Sequence, residues 1–326
     1  MQNSANSISN KISVSLYFYQ LSHFEHNKEY EKLAEKYLED VFSEIHTVRE
    51  VDIKNGLSGI GLGINYLVKN NFVSGNINII LQEIDNYLFK VMSVPQYHES
   101  ANTFSMIQVL YYFYVRLKDQ KKDNENEYLF QELCVKTINN IYSKIGKALI
   151  GNRLAYNVES ELPLFLYVLS KISILNIYNV RITNILNELS PIVLSTIPML
   201  HCNKLYLLWS MSAIYEQIKI SGWNAHIELL IRELNLDEIV NTELKNRNIF
   251  FNDGATSIFL LAENVKKHLG EEIVYDFQRK LLKKIEQSEV WYLLKTDLQY
   301  FSTHNNLYDG FCGVVLLLMS YKKNDL

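Results

Sequence analysis

Residues 55–67 read NGLSGIGLGINYL, a cluster of small residues that leads into an apolar run. The end of the chain repeats this pattern, because residues 307–318 read LYDGFCGVVLLL. A weaker copy at residues 250–261 reads FFNDGATSIFLL, with Ser257 in place of the second glycine. Glycine inside a helix costs about 1 kcal/mol relative to alanine, so its repeated use needs a packing reason. We interpret these as structural glycines that let backbone segments approach closely: Gly56, Gly59, Gly254, Gly310 and Gly313.

A dinucleotide-binding loop is the rival interpretation of Gly59 and Gly61. That fingerprint follows a hydrophobic strand and opens a β-α-β unit. Residues 48–54 are largely polar and no parallel-strand pattern follows them. The sequence therefore disfavours a nucleotide cofactor at this loop.

The three copies define a spacing that the rest of the chain also follows. Further apolar helical segments begin near Asn102, Ser160 and Cys202, so that such starts recur at roughly 45 to 58 residues, the length of one helical hairpin. Amphipathic helical stretches alternate with them, at residues 29–45, 76–92, 127–145, 181–194, 223–240 and 271–285. An apolar helix is enclosed by protein, whereas an amphipathic one faces water. The pattern predicts an all-α fold, an (α/α)6 barrel or toroid of six inner and six outer helices. It forms one domain over residues 1–326, with residues 1–25 as an N-terminal extension.

Composition narrows the classes of partner. The formal net charge is −4 and no stripe of lysine or arginine is present, so nucleic acid is not expected. The apolar runs are too short to span a bilayer, and membrane insertion is not expected either. The first residues lack a secretory-signal pattern, and the three cysteines form no CxxC pair. These features predict a cytoplasmic protein.

Residues 55–67 resemble the glycine-rich inner-helix repeat of the lanthionine synthetase C-like (LanC) family, and residues 307–318 are similar to its final repeat. The spacing extends the resemblance over about residues 27 to 322. It implies a role in lanthipeptide-type (lantibiotic) peptide modification. It also implies a zinc ion held by a cysteine at the fourth inner helix and by a Cys-His-Gly motif at the fifth. That zinc would activate a peptide thiol for addition to a dehydroamino acid.

The chain departs from this motif at most ligand positions. Cys202 falls near the first expected cysteine, but Asn252 and Asp253 stand where cysteine and histidine are expected, before Gly254. One thiol with an amide and a carboxylate is a poor zinc site, so we expect no resident cofactor, with zinc still possible. His98 stands where the resemblance implies an acidic residue.

His98 and Asp253 are the candidate catalytic residues. His98 could act as a general base near neutral pH. Each candidate also has a structural interpretation: Cys202 as a small buried side chain, Asp253 as a helix N-cap and His98 as an ordinary loop residue.

Three functions remain open at this point. The first is a LanC-like protein with degenerate zinc chemistry that binds a precursor peptide or a dehydratase-type partner enzyme. The second is an active thioether-forming peptide cyclase with an unusual metal site that uses Cys202 and Asp253 with His98 or His201. The third is an (α/α)6 carbohydrate-active enzyme that works with paired carboxylates. Its candidates are Glu159, Glu161, Asp253 and Asp309.

Overall fold

The computed structural model describes residues 3–94, 102–120, 125–145 and 155–324, and in these residues the chain is helical and contains no strand. The expected all-α class is confirmed. The helices are α1 (Asn3–Glu25), α2 (Lys28–Glu44), α3 (Leu57–Lys69), α4 (Ile77–Ile80), α5 (Gln82–Ser93), α6 (Thr103–Lys118), α7 (Glu125–Ile145), α8 (Glu161–Ile174), α9 (Asn179–Ser195), α10 (His201–Gln217), α11 (Trp223–Arg232), α12 (Leu236–Glu238), α13 (Ala255–Leu269), α14 (Glu271–Glu286), α15 (Val290–Thr296), α16 (Leu298–Thr303) and α17 (Phe311–Asn324). None of them, within the described ranges, has both the length and the apolar character needed to cross a bilayer.

Two of the predicted outer helices are interrupted. The stretch predicted at 76–92 forms α4 and α5, which meet at Leu81. The stretch predicted at 223–240 ends its first helix at Arg232 and restarts at Leu236. Asn235 causes the restart, because its side chain accepts hydrogen bonds from the backbone N–H groups of Asp237 and Glu238. A π-helical segment, Ile239–Glu243, follows.

The chain divides into two compact units, and unit 1 comprises Met1–Thr137 and Thr296–Leu326. Helix α1 packs against α2, α3 and α17, and it buries Ile8, Ile12 and Tyr19. A Cβ atom on Gly63 would lie 2.7 Å from Ile12 Cγ1, so this glycine lets α1 sit directly on α3. The segment expected as an N-terminal extension thus carries part of the core of unit 1.

A buried polar network joins α6 to α4 and α5 in unit 1. Arg116 is 1% exposed, and its Nη2 donates to Asp85 Oδ2 at 2.7 Å and to Asn78 Oδ1 at 2.9 Å. Tyr112 donates to Asp85 Oδ1 at 2.5 Å. Burial, then the Asp85 carboxylate, raises the pKa of Tyr112, so the phenol remains a donor. Buried charges are tolerated in this way when they are paired and hydrogen-bonded.

Unit 2 comprises Ile138–Lys295, and helix α10 lies at its centre. Helix α10 packs against α8, α11 and α13, and α13 packs in turn against α14. The α10 face that enters this core includes Leu205, Leu208 and Met211, each fully buried. This packing holds the start of α10 beside the loop that precedes α13.

Candidate functional site

Three helix starts in the described part of the chain share one backbone arrangement. The first helical N–H donates to a carbonyl seven residues earlier: Leu57 to Glu50, Ala255 to Asn248 and Phe311 to His304, each at 2.9 Å. The preceding loop therefore lies directly on the helix start. A Cβ on Gly56 would lie 2.5 Å from Glu50 O, and one on Gly254 would lie 2.5 Å from Asn248 C. Glycine is needed here because no side chain fits between the two backbone segments.

The second small residue of each motif also lies close to the loop that precedes its helix. A Cβ on Gly59 would overlap Ile53 O, and one on Gly313 would overlap Leu307 O. At α13 the second loop bond comes instead from Thr256 N, to Ile249 O at 3.3 Å. Ser257 stands at the position that corresponds to Gly59, and its hydroxyl donates to Gly254 O at 3.1 Å. The weaker third copy in the sequence therefore keeps the seven-residue spacing of the loop bonds and differs in which second N–H group is bonded.

The start of α10 is organised by a side chain. Glu243 Oε1 accepts the His201 N–H at 2.6 Å, and Oε2 accepts the Cys202 N–H at 2.8 Å. Glu243 is the last residue of the π-helical segment. The first N–H groups of a helix lack intrahelical partners, and a carboxylate both pairs with them and complements the helix dipole.

The Cys202 thiol lies beneath this carboxylate and is fully buried. Burial, then the charge of Glu243, raises the pKa of Cys202. The thiol is therefore protonated at neutral pH. His201 turns its ring to another partner, since its Nδ1 accepts the Asn235 N–H at 3.1 Å.

Tyr156 connects the start of α10 with the start of α13. It is 7% exposed, and its hydroxyl donates to Ser257 Oγ at 2.9 Å. Burial is the main cause that raises the pKa of Tyr156, the hydrogen bond with Ser257 lowers it, and the charge of Asp253 raises it further. The Tyr156 ring packs edge-on against the Tyr206 ring of α10, with the ring centroids 6.3 Å apart.

The loop before α13 is held to the loop before α8. Val158 N donates to Asn252 O at 2.8 Å, and Val158 O accepts from the Tyr206 hydroxyl at 2.9 Å. Tyr206 lies on α10 one turn after Cys202. These bonds place Asn252 in the same cluster as Cys202.

Asp253 makes a side-chain hydrogen bond within the loop that precedes α13. Its Oδ2 accepts from Asn248 Nδ2 at 3.1 Å. The residue at the N-cap position of α13 is Gly254, which makes no side-chain capping bond. The Oδ1 atom of Asn252 is buried without a hydrogen-bond partner in the described part of the chain.

Of the remaining sequence candidates, Glu159 directly follows Val158 in the loop bonded to Asn252, whereas Asp309 lies in the other unit. Asp309 pairs with Lys54 Nζ at 2.5 Å in unit 1. Glu161 is the first residue of α8, directly after Ser160, and Glu159 lies in the preceding loop. His98 lies outside the described residues.

The residues at the implied zinc position do not fit a zinc ion. Cys202 is a fully buried thiol, both carboxylate oxygens of Glu243 already accept backbone N–H groups, and Asn252 offers only a neutral amide. Zinc in proteins is bound by thiolate, imidazole or free carboxylate. Among residues 3–94, 102–120, 125–145 and 155–324, no group of three or more His, Cys, Asp or Glu side chains could hold a metal.

Glu243 and Tyr156 were not predicted from the sequence. Glu243 follows an amphipathic stretch as an ordinary acidic residue, and Tyr156 is one of 22 tyrosines. Neither position carries a sequence signal, because their partners are distant in the chain. Comparison with protein-family models gives no match, and none of the curated proteins matches significantly.

Proposed function

We propose that this chain is a LanC-like protein of ribosomal-peptide modification that binds a precursor peptide or a dehydratase-type enzyme without zinc chemistry. The observation that carries the proposal is the pairing of Glu243 with the backbone of Cys202. At the position where the resemblance implies a thiolate ligand, the chain holds a protonated thiol under a carboxylate.

The loop geometry supports the LanC-like part of the proposal. The glycine motifs that carry the resemblance correspond to one repeated loop-on-helix arrangement at α3, α13 and α17. The proposal includes closure of the alternating helices into an (α/α)6 toroid and a cytoplasmic location. The binding surface of this toroid would be its mouth, where the resemblance implies the inner helices begin.

The direct test restores the motif. In the Asn252→Cys/Asp253→His double variant, residues 252–254 become Cys-His-Gly opposite Cys202. We expect wild-type protein, purified without chelator or tag, to contain zinc at background level by inductively coupled plasma mass spectrometry. We expect about one zinc per chain in the double variant, and loss of that zinc when Cys202→Ala is added.

A matched control places the same two residues before another motif glycine. The Lys54→Cys/Asn55→His variant also creates Cys-His-Gly, ahead of Gly56, and should bind no zinc. Absence of zinc from the restored variant would contradict the proposed correspondence of residues 252–254 with the Cys-His-Gly motif of the LanC family. Stoichiometric zinc in the wild type, lost on Cys202→Ala, would instead support an active cyclase with a divergent site.

A further inference from the structure

Unit 1 contains a cleft of about 680 Å³ lined by α1, α2, the end of α16 and the loops before α3 and α17. Its walls are rich in side-chain amides and hydroxyls: Asn10, Asn55, Asn305, Asn306, Ser302 and Thr303. The volume is within the range of small-ligand pockets, but those are mostly apolar. A cleft with this lining favours a polar ligand.

The charged groups on the cleft are paired with each other or with neighbours. Lys11 Nζ contacts Glu44 at 2.7 Å and Asp40 at 3.5 Å. Lys54 contacts Asp309 at 2.5 Å. An anionic or cationic ligand would have to displace these ion pairs, so the cleft is suited to an uncharged one.

Several of the amides have unused hydrogen-bonding capacity. The side chains of Asn10 and Asn55 are half-buried and make no hydrogen bond within the described residues. Asn306 uses its Oδ1 to accept from Tyr308 N and Asp309 N, which leaves its NH₂ group available. A side-chain amide has a donor and an acceptor that match the C=O and N–H of a peptide unit.

We infer that this cleft binds the main chain of an extended, uncharged peptide segment. Main-chain hydrogen bonds supply affinity in such sites, whatever the side chains of the peptide. A peptide is favoured as the ligand because the lining is rich in side-chain amides, whose donor and acceptor pair with the C=O and N–H of a peptide unit. The inference goes beyond the proposed function: all cleft residues belong to unit 1, whereas Cys202 and Asp253 belong to unit 2.

The test begins with a phage-displayed library of random dodecapeptides, panned against the full chain. The Asn10→Asp/Asn55→Asp double variant serves as the counter-selection target. An uncharged peptide that the full chain retains and the counter-selection target does not is then synthesised with a fluorescent label and titrated by anisotropy. Each single aspartate variant should weaken binding about tenfold, because a carboxylate cannot donate to a peptide carbonyl. Asn10→Ser and Asn55→Ser remove the amides without adding charge and should weaken binding similarly.

Asn71→Asp, an exposed position of unit 1, is the matched control and should leave the dissociation constant unchanged. Methylation of a single backbone nitrogen in the peptide should weaken binding, whereas replacement of its side chains by alanine should have little effect. Equal affinity for all variants, or equal retention of the library by the full chain and by the counter-selection target, would overturn the inference. So would a neutral oligosaccharide whose binding is lost in the same variants. The zinc-restoration test addresses other residues, so either proposal can fail alone.

Discussion

The first N–H groups of helices α3 and α10 are bonded to acceptors of different kinds. Both must supply partners for N–H groups that have none within the helix. At α3 the partner is the carbonyl of Glu50, seven residues earlier, and the close fit requires glycine. At α10 the partners are the two carboxylate oxygens of Glu243, 41 and 42 residues away. A hydrogen-bond acceptor that is close in the sequence requires a recognisable glycine motif, whereas an acceptor that is distant in the sequence requires no local motif.

The largest effect on stability is expected from a substitution in the glycine motif at the start of α3. Gly59→Ala places a Cβ on the carbonyl of Ile53, and backbone cannot move aside as a flexible side chain can. We expect the free energy of unfolding to fall by about 3 kcal/mol, measured by urea denaturation with circular dichroism. Ser257→Ala, at the corresponding position of α13, is the control and should cost only about 1 kcal/mol for its lost bond to Tyr156. Equal effects at the two sites would mean that the close contact of Gly59 with Ile53 contributes no more to stability than a single hydrogen bond.

Removal of the Glu243 carboxylate should have the next largest effect on the free energy of unfolding. Glu243→Ala leaves the N–H groups of His201 and Cys202 without their acceptor, and we expect a loss of about 2 kcal/mol. Glu243→Gln retains one acceptor oxygen and should lose about half as much. Glu286→Ala, at an exposed position of α14, should stay within about 0.5 kcal/mol of the wild type by urea denaturation. If Glu243→Ala matched this control, the carboxylate would have no capping role.

The smallest effect concerns the thiol under Glu243 and its dependence on pH. The pKa of Cys202 is raised in the folded chain by burial and then by Glu243, whereas an unfolded thiol ionises near about 8.5. The unfolded state therefore binds fewer protons above that pH. The stabilising contribution is complete below it and declines as the pH rises.

We expect Cys202→Ala to reduce the loss of stability between pH 9 and 10 by about 1 kcal/mol per pH unit, measured by urea unfolding at each pH. Cys134→Ala is a positive control, because burial also raises the pKa of Cys134. An unchanged pH slope in Cys202→Ala would show that this thiol ionises equally in both states.

Much of the secondary structure could be predicted from periodicity. The apolar stretches predicted to begin near Asn102, Ser160 and Cys202 correspond to helices that begin at Thr103, Glu161 and His201. The helix breaks at Leu81 and Asn235 were not predicted. At Asn235 a local side-chain cap overrides the continuous amphipathic pattern. The candidate site was predicted less completely, since Cys202 and Asn252 were named without Tyr156 or Glu243.

The sequence by itself determined the all-α class and the glycine positions at the helix starts. Both depend on interactions between residues a few positions apart, so composition and spacing record them. Tertiary structure alone decided that Cys202 is a buried thiol at a helix start whose N–H groups are bound by the carboxylate of Glu243. The pKa of that thiol depends on burial and on Glu243, and the packing of α10 in unit 2 brings these together across 41 residues of chain.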